Sequence, residues 1–133
     1  MSPHLGRTAA LLLASFPASC ATSEFDSVMN VQSICNVTFK AEKIVQVSGE
    51  FDGDRYHGNG LFHHDCPGVY WTVDWSDEFY AKYVKRLELE NAIFQGTAFS
   101  KYRVEVEGRL FVSSEGGPAI KLMKLGKAER MPR

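Results

Sequence analysis

Three of the four histidines fall within eight residues, at His57, His63 and His64, with Asp65 adjoining and Asp52 and Asp54 just upstream. Imidazole nitrogens and carboxylate oxygens are ligands for zinc and copper, so this cluster is the sharpest candidate for chemistry in the chain. Its spacing works against it. On one strand, His57 and His63 share a face but lie about 20 Å apart, at roughly 3.3 Å per residue, and His64 points away. Metal binding by His57, His63 and His64 therefore requires the strand to bend. Otherwise these are solvent-exposed loop and edge histidines. Other catalytic groupings are weaker. No G-x-S-x-G elbow and no glycine-rich phosphate loop occurs. Glu105 and Glu107 alternate with Arg103 and Arg109, the pattern of a solvated charge ladder rather than an acid–base pair. The expectation is a non-enzymatic protein with no cofactor.

A second pattern is aromatic. Tyr56, Phe62, Tyr70, Trp71 and Trp75 crowd into twenty residues. Trp71 and Trp75 share parity with Val69 and Val73, which assigns them to the core. Tyr56, Phe62 and Tyr70, with His57 and His64 beside them, form the candidate ligand-binding face.

These residues need strands to hold them. Val45, Val47, Gly49 and Phe51 alternate with Ile44, Gln46, Ser48 and Glu50, a half-buried strand. Asp52-Gly53-Asp54 has turn chemistry, and a second strand is expected from about Tyr56 to His63. Asp65-Cys66-Pro67-Gly68 reads as another turn before a third strand, Val69 to Trp75. Ser76 is placed to cap a helix over Asp77–Glu88, with Phe79, Tyr80, Tyr83, Val84 and Leu87 as its apolar stripe. Tyr102 to Val112 carries the cleanest alternation. Ala119 to Leu125 is the last strand. Cys35, Val37 and Phe39 hint at an early strand, and Asp26-Ser27 at a short helical turn.

The expected order is βββαββ in an all-β domain with one helix. Val45-x-Val47-x-Gly49 is echoed by Val104-x-Val106-x-Gly108, and a glycine within a strand marks the bend that a small barrel needs. This order resembles the OB-fold, a five-stranded Greek-key barrel with a helix between its third and fourth strands. The resemblance implies that the first and fourth strands are neighbours, and that the face of strands two and three stacks bases or sugars. The chain also resembles a loose group of uncharacterised bacterial envelope proteins. The motifs are Val45-Gln46-Val47-Ser48-Gly49, His57-Gly58 and Cys66-Pro67-Gly68. That resemblance implies a fold and an envelope location, and brings no activity with it.

The N-terminus points to the same compartment. A polar stretch carrying Arg7 precedes the apolar run Ala9–Phe16, too short to span a bilayer, so residues 1–21 read as an export signal. Pro17-Ala18-Ser19-Cys20 resembles the bacterial lipobox, which would make Cys20 a lipidated N-terminus and the membrane a partner through that anchor. Ordinary cleavage after Ala21 is the other reading. The mature domain then keeps Cys35 and Cys66, expected to form one disulfide in an oxidising compartment. Residues 22–34 are expected as linker and helical turn, 35–128 as the barrel, and 129–133 as a polar tail.

Charge narrows the partners. The chain has 15 Lys+Arg against 16 Asp+Glu, and losing residues 1–21 removes only Arg7, leaving 14 against 16. A nucleic-acid binder carries a basic excess, so no nucleic acid is expected. The sequence therefore describes an exported binding or interaction module of the cell envelope, an outer-membrane lipoprotein or free in the periplasm, with an unknown envelope ligand or protein as partner. Periplasmic metal binding through the histidines is the alternative.

Overall fold

Two long strands with alternating burial build half of the wall. The computed structural model describes residues 22–54, 58–87 and 100–131. Strand β3 (Ile44–Asp54) buries Val45, Val47 and Phe51, and strand β6 (Ser100–Val112) buries Tyr102, Val104, Val106 and Leu110. Val112 continues the same parity but is exposed, because it lies past the packed part of the strand. The other strands are β1 (Thr22–Glu24), β2 (Gln32–Ser33), β4 (Gly58–Phe62), β5 (Tyr70–Trp75) and β7 (Pro118–Arg130).

Pairing closes five of these into a barrel. β3 is antiparallel to β4 and β4 to β5; β5 is parallel to β7; β7 is antiparallel to β6, and β6 returns antiparallel to β3. The first and fourth barrel strands are thus neighbours. Val45 opposes Gly108, Val47 opposes Val106 and Gly49 opposes Val104, so the echoed motifs face each other across one seam. Closure removes sheet edges. Where the long strands overhang their barrel partners, β1 pairs with Lys127–Glu129 of β7 and β2 runs parallel to Val47 and Ser48 of β3.

The helix follows the expected cap. Ser76 Oγ accepts from Phe79 N at 3.1 Å, and Asp77 and Glu78 occupy the first turn, where the helix dipole favours negative charge. Helix α1 starts at Asp77–Phe79, widens to a π turn over Tyr80–Val84 and is helical to residue 87. Phe79, Tyr83, Val84 and Leu87 are all buried. With Phe51, Leu61 and Tyr102 they fill the barrel interior to an apolar cavity of only about 20 Å³. The barrel is a packed core, not a container. Among the described residues, no helix is long and apolar enough to cross a membrane.

Several boundaries differ from expectation. Asp52, Gly53 and Asp54 do not turn; they pair with Gly60, Asn59 and Gly58, so β3 runs on. Cys35, Val37 and Phe39 are not strand. Ser33 Oγ accepts from Cys35 N and starts a 3-10 turn, Ile34–Asn36, that puts Ile34 into the core. β7 does not stop at Leu125, because β6 supplies partners as far as Arg130 and β1 adds more along the other edge. Part of the expected polar tail is therefore paired strand.

The 22–34 segment is no free linker either. Phe25 N donates to Gly126 O at 2.8 Å, and the Phe25 ring meets Tyr83 edge-on at 5.5 Å. Asp26 does not start a helical turn, because its carboxylate accepts from the Tyr83 hydroxyl and lies 3.2 Å from Lys82 Nζ. The Tyr83 hydroxyl and Lys82 hold the Asp26 carboxyl below its ordinary 3.8. Its stabilising effect is complete above that value and is lost as the pH falls through the lower, folded one. Asp26→Asn should therefore lower stability at neutral pH, and the difference from wild type should shrink as the pH drops below 3.8. Urea unfolding across that range measures this; a pH-independent difference would contradict it.

Candidate functional site

Register brings one row of outward side chains across four strands. Arg103 of β6 opposes Glu50 of β3, Glu50 opposes Phe62 of β4, and Phe62 opposes Tyr70 of β5. The Phe62 and Tyr70 rings stack with centroids 6.3 Å apart and planes 20° apart, and Tyr70 is 52% exposed. The Tyr70 ring lies across Gly60, where any Cβ would collide with it, so that glycine makes the flat arrangement possible. Trp71 is buried and packs edge-on against Phe39, and Trp75 stacks on Phe79, placing both indoles with the core.

The histidines sit at the end of this row. β4 stops at Phe62, so His63 and His64 no longer alternate, and His64 does not point away from His63 as a strand would require. Their rings stack at 4.4 Å. Cys66 N donates to His63 O at 3.1 Å, Asp65 N to His63 Nδ1 at 3.0 Å, and Val69 N to Cys66 O at 2.9 Å, which defines the turn. Cys66 is bonded to Cys35, with Cα atoms 5.7 Å apart, so the turn is tied to the segment that carries buried Ile34.

Glu50 is the residue that sequence reasoning missed. Its parity puts it on the outer face, yet it is only 4% exposed. The turn folds back over it: His64 N donates to Glu50 Oε2 at 2.9 Å, and His64 Nδ1 lies 2.6 Å from the same oxygen. Burial pushes the Glu50 carboxyl up, but the ring and backbone hydrogen bonds from His64 and the charges of both imidazoles outweigh it, leaving a net fall. The bond to Glu50 raises His64, with the Asp65 charge adding to it. Asp65 Oδ1 is 3.2 Å from His64 Nε2. Strand alternation identifies Glu50 as facing Phe62, but no local pattern shows that a turn thirteen residues on will cover it.

Of the expected ligand face, Phe62, His64 and Tyr70 come together. Of the expected metal set, His63 and His64 do. Tyr56 and His57, and the expected lipidation site Cys20, lie outside the described residues. The charge ladder is paired as expected for a solvated face: Gln46 Nε2 donates to Glu107 Oε1 at 2.8 Å and Arg103 meets Glu129 at 3.1 Å.

Fold and site together define a small closed β-barrel bearing a stacked aromatic pair and a disulfide-anchored histidine turn. Comparison with protein-family models, curated proteins and solved structures found no match.

Proposed function

We propose that this protein is a non-enzymatic binding module of the bacterial cell envelope, and that its ligand is a sugar lying on the outer face of β4 and β5. The observation that carries this reading is the stacked Phe62–Tyr70 ring pair, in which the Tyr70 ring lies over Gly60 and is half open to solvent. Supporting it, the closed barrel order β3-β4-β5-β7-β6 with β5 parallel to β7 is compatible with the expected OB-type barrel, a fold whose second and third strands bind oligosaccharides and oligonucleotides. Glu50 beside the platform, and the acidic balance of the mature chain, disfavour a phosphate backbone and favour a neutral glycan. The Cys35–Cys66 bridge suits an exported protein, anchored through Cys20 or free in the periplasm.

Titration calorimetry with soluble neutral oligosaccharides tests this. Tyr70→Ala should weaken binding by about 1–3 kcal/mol, the scale of one lost stacking partner, without changing the near-UV signal of Trp71 and Trp75. Binding that is indifferent to Tyr70→Ala, or tighter binding of oligonucleotides than of sugars, would overturn the reading.

A further inference from the structure

We propose that Glu50, His63 and His64 form a binding site for a divalent transition-metal ion of the zinc class. One donor atom from each residue lies within 4.8 Å of the other two. A tetrahedral zinc site has ligand bonds of about 2.0–2.2 Å and so holds its donors about 3.4 Å apart. The wider donor pairs must close toward that spacing, while His64 Nδ1 and Glu50 Oε2, now 2.6 Å apart, must open to it. Two imidazoles and one carboxylate select zinc, copper or nickel over calcium and magnesium, which prefer all-oxygen shells.

Three features distinguish this cluster from a chance meeting of surface groups. Glu50 is a buried carboxylate on the outer face of a sheet, where a charge persists only if cationic or hydrogen-bonding partners surround it. Asp65 contacts His64 Nε2 at 3.2 Å, the carboxylate–histidine arrangement that orients a metal-binding imidazole. The two histidines ride on a turn fixed by its own backbone bonds and by the disulfide at the next residue but one, so the ligand-bearing segment is held before any ion arrives. Glu50 was not in the set that the sequence suggests, and His57 of that set lies outside the described residues. With three protein ligands, a coordination position stays open toward solvent, because His64 is two-thirds exposed. The site uses atoms other than the aromatic rings, so it stands or falls separately from the sugar platform.

The test is calorimetry of Zn2+ against the full chain with the Cys35–Cys66 bridge formed, in chelator-free buffer. One ion per chain should bind in the micromolar range or tighter. The double variant His63→Ala/His64→Ala should lose that binding, and Glu50→Gln should weaken it by about tenfold or more. His64 is exposed, so His64→Ala alone serves as the variant that keeps the fold, checked by near-UV dichroism, and it too should weaken the ion by about tenfold or more. Tyr70→Ala should leave zinc affinity unchanged. Absence of binding up to about 1 mM Zn2+, unaltered affinity in the double variant, or equal competition by Mg2+ would overturn the proposal.

Discussion

Replacing Cys35 and Cys66 by serine should lower the unfolding free energy by about 3–4 kcal/mol, the largest single effect expected in this molecule. The two residues are 31 apart in sequence, and a link across such a loop removes much of the freedom of the unfolded chain. Packing adds to it. The bridge ties the turn after β4 to the segment whose Ile34 is completely buried and whose Phe39 packs on Trp71. Folded domains of this size are stable by only about 5–15 kcal/mol, so the loss is a sizeable part of the whole. For a domain near 110 residues it corresponds to a fall in Tm of about 15–25 °C. Thermal unfolding of the double serine variant beside wild type measures it. A fall of less than about 5 °C would mean the bridge constrains little.

Gly108→Ala should destabilise the barrel by about 2–3 kcal/mol, although it adds a single methyl group. A Cβ at position 108 would lie 2.7 Å from the Lys121 carbonyl oxygen and 2.7 Å from Ile120 Cγ1. The carbonyl belongs to the backbone of β7 and cannot swing aside. Gly108 also opposes Val45 on β3 and adjoins the register shift between Glu107 and Gly108 in the β6–β7 ladder. Three strands therefore crowd one point, and the methyl group forces the seam open. Gly68→Ala is the matched control. No atom lies within 4 Å of a Cβ there, so its effect should stay within about 0.5 kcal/mol. Equal stabilities for the two variants in urea would show that the seam is not tightly closed.

The same glycine shows how far the fold can be read from the sequence. Gly49 and Gly108 stand in matching valine–valine–glycine strands that are neighbours, as the OB resemblance implies, but the register that sets Val45 against Gly108 and Gly49 against Val104 could not be read from the echo. β3, β6 and the helix cap at Ser76 were legible because each rests on local periodicity or a single side chain. The bridge was legible because Cys35 and Cys66 are the two cysteines that follow the expected export signal, and two cysteines leave one pairing. What stayed hidden depends on tertiary partners. Asp-Gly favours a turn, but facing residues on β4 hold Asp52–Asp54 in the ladder. β7 looks finished at Leu125 until β1 and the long β6 lie beside it. The candidate site turned on where β4 ends. A strand reaching His63 separates the two histidines onto opposite faces, whereas a strand ending at Phe62 stacks them and lets His64 close over Glu50. The Phe62–Tyr70 pairing follows from alternation and register, yet the flat lie of Tyr70 needed Gly60 opposite Thr72, a neighbour known only once the strands were aligned.

The most direct measurement is a nitrogen-15 correlation spectrum of the protein titrated with soluble oligosaccharides, read residue by residue. Shifts should gather on Glu50, Gly60, Phe62, Tyr70 and Thr72, the outer face of β3, β4 and β5, and on the adjoining His63 and His64. Shifts gathered instead in the basic groove between α1 and β7, around Lys82, Lys121 and Lys124, or none at about 1 mM sugar, would contradict the account.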